Sequence, residues 1–348
     1  FNYAASFLKT KNFPDLIKGV RGTSNEDHTP ENLVKGILRA THNIYVNKDG
    51  TIRYDMTELP ITGFKASEIG TSIDKLKELG YNKDIYGRDI VDEYQVIELK
   101  PQDIILPGCE GSDQEGADEI FYRTCNFIDD LLEKFYDQKR FYNLKDKKDL
   151  IGHLFVALAP HISAGTVCRL IGFSKTQGFY AHPFIHCAVR RDCDGDETAV
   201  ILLMDAFLNF SRKYLGAHRG ARQDTPLVIT PILTATEVDD MIFNMDIVKE
   251  YPLEFYEACE KYSYPWDIKI ETVKDRLGKE NEMNNYFFTH ETSDINKGVT
   301  YSSYKKLPTM QEKVLGQMEL ARKIRAVDED DVARLVVERH FIRDIRGI

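Results

Sequence analysis

The period of the apolar positions changes along the chain, and each change marks an element. From Ala117 to Phe135 apolar side chains fall at Ile120, Phe121, Phe127, Ile128, Leu131, Leu132 and Phe135, the spacing of a helix with one buried stripe. Shorter runs read differently. Leu154-Phe155-Val156-Ala157-Leu158 predicts a buried strand, Ala181 to Arg190 another, and Glu197 to Tyr214 a strand passing into a helix. Upstream, Asn43-Ile44-Tyr45-Val46 and Thr51-Ile52-Arg53-Tyr54 flank Lys48-Asp49-Gly50, a hairpin signal, and Gln95 to Leu99 reads as a further strand. Thr71 or Ser72 caps a short helix through Leu79 that stops at Gly80, the Gly-rich acidic stretch Pro107 to Glu115 is a loop, and Lys139 to Asp149 is a charged connector. After Pro226-Leu227-Val228-Ile229-Thr230 the pattern is mixed, with helices predicted over Glu237 to Lys249, Pro252 to Tyr262 and most of the chain from Met310. These elements predict an α+β fold in three regions: an accessory α+β region 1–148, an apolar core 149–235, and a mainly helical region 236–348.

Composition narrows the picture. The 348 residues are 42% hydrophobic, enough for a packed core, yet no stretch approaches 18 apolar residues and the mean hydropathy is -0.39. No membrane span is expected, and a cytoplasmic location is. The chain opens on Phe1 without a signal-like leader and reads as a piece of a longer protein. Its six cysteines never form a CxxC pair, so neither a zinc module nor a disulfide framework is expected. With 46 basic and 56 acidic residues the net charge is -10, which argues against a whole-surface grip on nucleic acid. Local basic patches remain at Lys139-Arg140 with Lys145, Lys147 and Lys148, at Arg212-Lys213 with Arg219 and Arg222, and at Arg322-Lys323 with Arg325; each is equally readable as a solvated helix face.

The candidate chemistry lies within the core. Asp192-Cys193-Asp194-Gly195-Asp196 sets three aspartates at alternate positions around one glycine, so in extended backbone their carboxylates converge while Gly195 lets the chain bend. Converging carboxylates repel unless a cation holds them, and oxygen-only ligands suit a hard ion such as Mg2+ or Mn2+. An EF-hand needs glycine at loop position 6 and glutamate at position 12; counted from Asp192 these are Glu197 and Leu203, and counted from Asp194 they are Ala199 and Asp205. A plain Asp-Gly turn is the other reading, but the flanks are core runs, where three unpaired carboxylates are costly.

The run from His182-Pro183 through Cys187-Ala188 to Asp192-Cys193-Asp194-Gly195-Asp196 and Ala199-Val200, with Ala159-Pro160 before it, is similar to the active-site signature of multisubunit RNA polymerases. The wider text resembles more closely the large subunit of archaeal family D DNA polymerase, at Gly152-His153 to Ala164-Gly165, Arg190 to Glu197, Leu208 to Ser211, Asn244 to Asp246 and Tyr251 to Tyr256, and also at Tyr45 to Met56, Leu79 to Arg88 and Arg322 to Asp328. The resemblance implies a double-psi β-barrel core of the two-barrel polymerase type, which region 236–348 helps to complete, and template-directed nucleotidyl transfer to a primer 3'-hydroxyl. Asp194 and Asp196 are then the paired catalytic, metal-binding acids. Asp192 stands where many family D enzymes are expected to carry Asn, which leaves its part as a ligand open. Two divalent ions about 3.5 to 4 Å apart would activate the hydroxyl and stabilise the leaving pyrophosphate, with no covalent protein nucleophile.

Around these acids, Arg190 and Arg191 either grip phosphate or pair with the clasp itself. His161 either contacts the incoming sugar or caps a strand, Lys175 is either a template or phosphate contact or an ordinary loop lysine, and His182 is expected to order the core rather than do chemistry. The implied partners are primer-template DNA, a dNTP and a small subunit with 3'-5' exonuclease activity, with a sliding clamp as an option and no membrane. The first barrel and the zinc modules of the family lie outside this chain by resemblance, so no zinc is expected within it and the isolated chain is expected to be inactive. An inactive nucleic-acid scaffold of the same fold, and a soluble metal-binding domain without a polymer substrate, are the other readings.

Overall fold

The computed structural model describes residues 1–14, 31–109, 114–192, 195–211, 214, 227–286, 294–297 and 309–341. The chain forms two compact units, Phe1–Thr300 and Tyr301–Ile348. The first unit is built on a mixed sheet. Its strands are β1 (Arg53–Pro60), β4 (Asp103–Pro107), β5 (Leu154–Leu158), β6 (Ala164–Ser174), β7 (Gly178–Ala181), β8 (Glu197–Leu202) and β9 (Val228–Thr230), while β2 (Gly63–Lys65) and β3 (Val96–Glu98) pair separately. The order is β4-β7-β1-β8-β5-β6-β9, and β4 also pairs with β6, so six strands form a cyclic ladder in which each has two neighbours. Two pairings are parallel within that ring, β1 with β7 and β4 with β6; the rest are antiparallel. Two of its strands come from the first 148 residues.

Strands buried on both faces explain why the apolar runs are continuous rather than alternating. In β5 the side chains of Phe155 and Ala157 enter the largest core with Val200 and Leu202 of β8, whereas Val156 and Leu158 pack on the other side with Ala199 and Ile201. Helices cover the larger core: α1 (Asn2–Leu8), α2 (Leu33–Thr41) and, beyond the short α3 (Ala66–Ile69) and α4 (Ile73–Glu78), the long α5 (Ala117–Lys134). The predicted stripe is the buried face of α5, with Phe121, Phe127, Ile128 and Leu131 fully enclosed and Phe121 edge-on to Phe155. α4 is capped by Ser72, whose hydroxyl accepts from the Lys75 N–H, and the chain leaves it through Gly80 at φ 90°.

Three expectations are corrected. Residues 43–46 are not a strand: the Lys48-Asp49-Gly50 turn forms, with the Asp49 carboxylate accepting from the N–H and hydroxyl of Thr51, but β1 pairs with the distant β7 and β8 instead. The segment from Ala181 to Arg190 is not a strand but the helix α6 (Pro183–Ala188), followed after the loop and β8 by α7 (Leu203–Asn209). Five of the six residues of α6 are buried, so its sequence has no polar face to reveal a helical period. Between Glu237 and Lys249 the only helical turn beyond Glu237 is the short one at Asp240–Asn244, because Asp239 caps Met241 after the extended Val238 and Asp246 then bridges to Thr272. The predicted helix further on is α8 (Leu253–Glu260), and α9 (Val273–Arg276) follows. In the second unit, Thr309 and Glu312 form a capping box for the helix Met310–Lys323, and Asp328 caps Glu329–Leu335.

Candidate active site

The site begins with the way α6 starts and stops. His182 is extended, and its Nδ1 accepts from the Phe184 N–H at 3.2 Å; Pro183 then occupies the first helical position, where a missing N–H does no harm. Burial pushes the His182 imidazole down to about 3, so the ring is neutral and serves as a cap, as expected of an ordering residue. At the other end the Arg190 N–H donates to the Cys187 carbonyl at 3.0 Å and the Arg191 N–H to the His186 carbonyl at 2.8 Å, the paired bonds of a Schellman cap. That cap requires left-handed backbone at Arg190, found at φ 60°, where glycine is usual. The chain then runs through the aspartate loop, with Gly195 at φ 103°, until the Asp196 carbonyl accepts from the Glu58 N–H of β1 at 3.0 Å and β8 begins.

Arg191 is the hub of the described part of this loop. Its Nη1 contacts Asp196 Oδ2 at 2.8 Å, and its Nη2 donates to His161 Nδ1 at 3.1 Å. A guanidinium has no acceptor, so His161 Nδ1 is the acceptor of that contact, on an exposed residue. The Arg191 side chain is largely covered, 11% exposed, while the Asp196 carboxylate is 45% exposed. Charge is thus fixed on the protein side and open on the solvent side.

The structure brings together Arg191, Asp196 and His161. Asp192 is exposed and Asp194 lies outside the described residues. Arg190 is exposed on its strained backbone, and Lys175 belongs to a different loop, the β6–β7 turn, where its N–H donates to Asn296 at 2.8 Å. Among the basic patches, Arg140 pairs with Asp130 and Glu133, Lys147 with Asp118 and Glu119, and Arg322 with Glu329, so these behave as paired surface charges; Arg212, Lys213, Arg219 and Arg222 lie outside the described residues. Among the described residues no group of three His, Cys, Asp or Glu side chains converges closely enough to hold a metal. The donor set of the loop still fits a hard cation, since Asp196 offers an exposed carboxylate and Asp192 a second one beside the undescribed Asp194. Cys187 does not offer a nucleophile there: burial, with added negative charge from Asp239, Glu58 and Asp192, pushes its thiol up to about 12.

Two residues under the loop escaped the sequence reading. Glu58 of β1 and His186 of α6 have fully buried side chains, with Glu58 Oε2 3.2 Å from His186 Nδ1. The contact is not an aligned hydrogen bond, and neither carboxylate oxygen and neither ring nitrogen has one. A signal for Glu58 does exist in the text: Tyr54, Met56 and Glu58 alternate along one face of a strand whose first two members are core residues.

Residues 9–313 match the family described as DNA polymerase II large subunit DP2, catalytic domain. The chain is 54% identical over 335 residues to a DNA polymerase II large subunit of Archaeoglobus fulgidus, covering 96% of this chain and 29% of that protein. It is 51% identical over 335 residues to the Pyrococcus furiosus protein of the same name, covering 96% of this chain and 26% of that one, and 48% identical over 361 residues to the Nanoarchaeum equitans one, covering 99% and 29%. A strand ring carrying an acidic loop is thus the setting of a catalytic domain. The chain belongs to the DP2 catalytic-domain family of DNA polymerase II large subunits, and it spans less than a third of the length of these relatives.

Proposed function

We propose that this chain is the catalytic core of a replicative DNA-directed DNA polymerase, transferring nucleotides from dNTPs to a primer 3'-hydroxyl under the direction of a template. The observation that carries the reading is the Arg191 bridge, which joins a solvent-facing carboxylate to an imidazole at one rim of the strand ring in a chain of this family. The cyclic ladder, with its two parallel pairings, is read as the double-psi barrel, its 149–235 core extended by β1 and β4. Asp194 and Asp196 are the catalytic acids and Asp192 adds charge beside them. These carboxylates would hold Mg2+, or Mn2+, which when bound supplies activation of the attacking hydroxyl and neutralisation of the leaving pyrophosphate.

The chain's own residues do the positioning. Arg191 holds Asp196 in one orientation, so the carboxylate needs no reorganisation when charge develops beside it. His161 offers Nε2–H to a sugar hydroxyl of the incoming nucleotide, and Arg190 contributes positive charge for phosphate. Lys175, on its separate turn, is read as a contact to the template strand further from the reacting atoms. The whole enzyme is heteromeric in this reading, with the small 3'-5' exonuclease subunit as partner, primer-template DNA as substrate and a sliding clamp as an option, and the isolated chain is inactive. Primer extension by the intact enzyme carrying Asp194→Ala or Asp196→Ala tests the assignment: extension falls by several orders of magnitude with unfolding temperature unchanged. Near-normal incorporation by either variant overturns it. DNA binding without metal-dependent extension by the unmutated enzyme would favour an inactive scaffold instead.

A further inference from the structure

The buried Glu58–His186 contact is unfavourable where it sits. Both side chains are fully enclosed, with the Phe179 ring edge-on to His186 at 5.5 Å. Polar groups buried without aligned hydrogen bonds cost stability, and an apolar pair of the same size would fill the space at no loss. What the pair does have is a place in a closed circuit. The Glu58 N–H donates to the Asp196 carbonyl at 3.0 Å, Asp196 Oδ2 meets Arg191 Nη1 at 2.8 Å, the Arg191 N–H donates to the His186 carbonyl at 2.8 Å, and His186 Nδ1 returns to Glu58 Oε2 at 3.2 Å. Three links hold the loop, and the fourth is the buried pair.

We infer that Glu58 and His186 are positioning residues that fix the spacing and orientation of the aspartate loop from below. The inference rests on the polymerase reading of that loop. The two ends of the loop hang from different elements, Arg191 from the last turn of α6 and Asp196 from β1, so the separation of those elements sets where the carboxylates point. The Glu58–His186 contact ties α6 to β1 at that level. Without it the level of α6 against β1 rests on core packing and the backbone links alone, and Asp196 is held less firmly against Arg191. The contact acts on how tightly the loop binds a divalent ion, and less on the rate once the ion is bound.

The test uses the intact enzyme with two variants, Glu58→Gln and the apolar double replacement Glu58→Leu/His186→Phe. Mn2+ binding in the absence of nucleotide, followed by electron paramagnetic resonance, and the Mg2+ dependence of primer extension are both measured. The expected result is a rise of about tenfold in the Mn2+ dissociation constant and in half-saturating Mg2+ for both variants, with kcat at saturating Mg2+ changed by less than about twofold. The double variant should unfold at the same or a higher temperature, which a merely structural pair would not combine with weaker metal binding. Unchanged metal binding in folded variants overturns the inference, as does a loss of kcat at saturating Mg2+ without a shift in metal dependence. If Asp196→Ala still extends primers, the polymerase reading of the loop fails and takes the inference with it. If Asp196→Ala is dead and Glu58→Gln binds metal normally, only the positioning role fails.

Discussion

Individual side chains here are held in states that their free chemistry disfavours. Arg190 has left-handed backbone at the end of α6, which for a residue with a Cβ costs about 1 kcal/mol relative to glycine. Arg190→Gly is therefore expected to raise unfolding stability by roughly that amount in chemical denaturation, while weakening primer-template binding if the side chain meets phosphate as proposed. Equal DNA affinity in the glycine variant would remove Arg190 from the site. Asp205 is a second case. It is completely buried on α7, accepting from the Ile52 N–H at 2.6 Å and from the Asn209 amide at 2.7 Å, and burial raises it from 3.8 to about 7. A raised carboxyl contributes stability fully below its unfolded value and loses it as pH climbs through about 7, so the Asp205 carboxylate is a liability in mild alkali. Asp205→Asn should consequently gain on the parent as pH rises from 4 to 8, by on the order of a few kcal/mol, in paired denaturation curves; a pH-independent difference would contradict this.

At the scale of elements, α6 decides where the loop starts. Its N-terminus relies on the His182 ring, so His182→Ala should cost about 1 kcal/mol of stability and His182→Asn should recover most of it, because either amide oxygen or ring nitrogen can accept the Phe184 N–H. If asparagine is no better than alanine in thermal unfolding, the ring acts through its packing on Phe184 and Tyr286 instead. How far each element was legible follows from where its information lies. α5 was readable because Phe121, Phe127, Ile128 and Leu131 record its period within its own 18 residues. α6 was not, because a six-residue helix buried nearly all round shows an apolar run that a strand would also show. Likewise Asp192, Asp194 and Asp196 announce themselves by local spacing, whereas Glu58 and His186 meet only through the fold. Arg191 has two readings in the sequence, phosphate grip and pairing with the clasp, and it contacts Asp196.

For the molecule as a whole, among the described residues the hydrophobic clusters draw their buried members from residues 4 to 286. A chain ended at Thr300 is expected to unfold cooperatively within a few degrees of the longer one, as followed by calorimetry. A broad or strongly lowered transition would mean that the second unit supplies packing the first lacks. The net charge of -10 acts at this scale too, since among the described residues acidic partners already occupy Arg140, Lys147 and Arg322.

The hydrogen bond from Glu58 to Asp196 also sets an order of events in folding. It joins residues roughly 140 positions apart, and the strands beside it are paired over similar separations, so closure is slow compared with helix formation. During synthesis the N-terminal anchor emerges long before the loop it will hold. The aspartate loop can therefore acquire its final shape only after the strand ring has closed, so a divalent ion held there as proposed would meet a formed site and have no part in nucleating the fold.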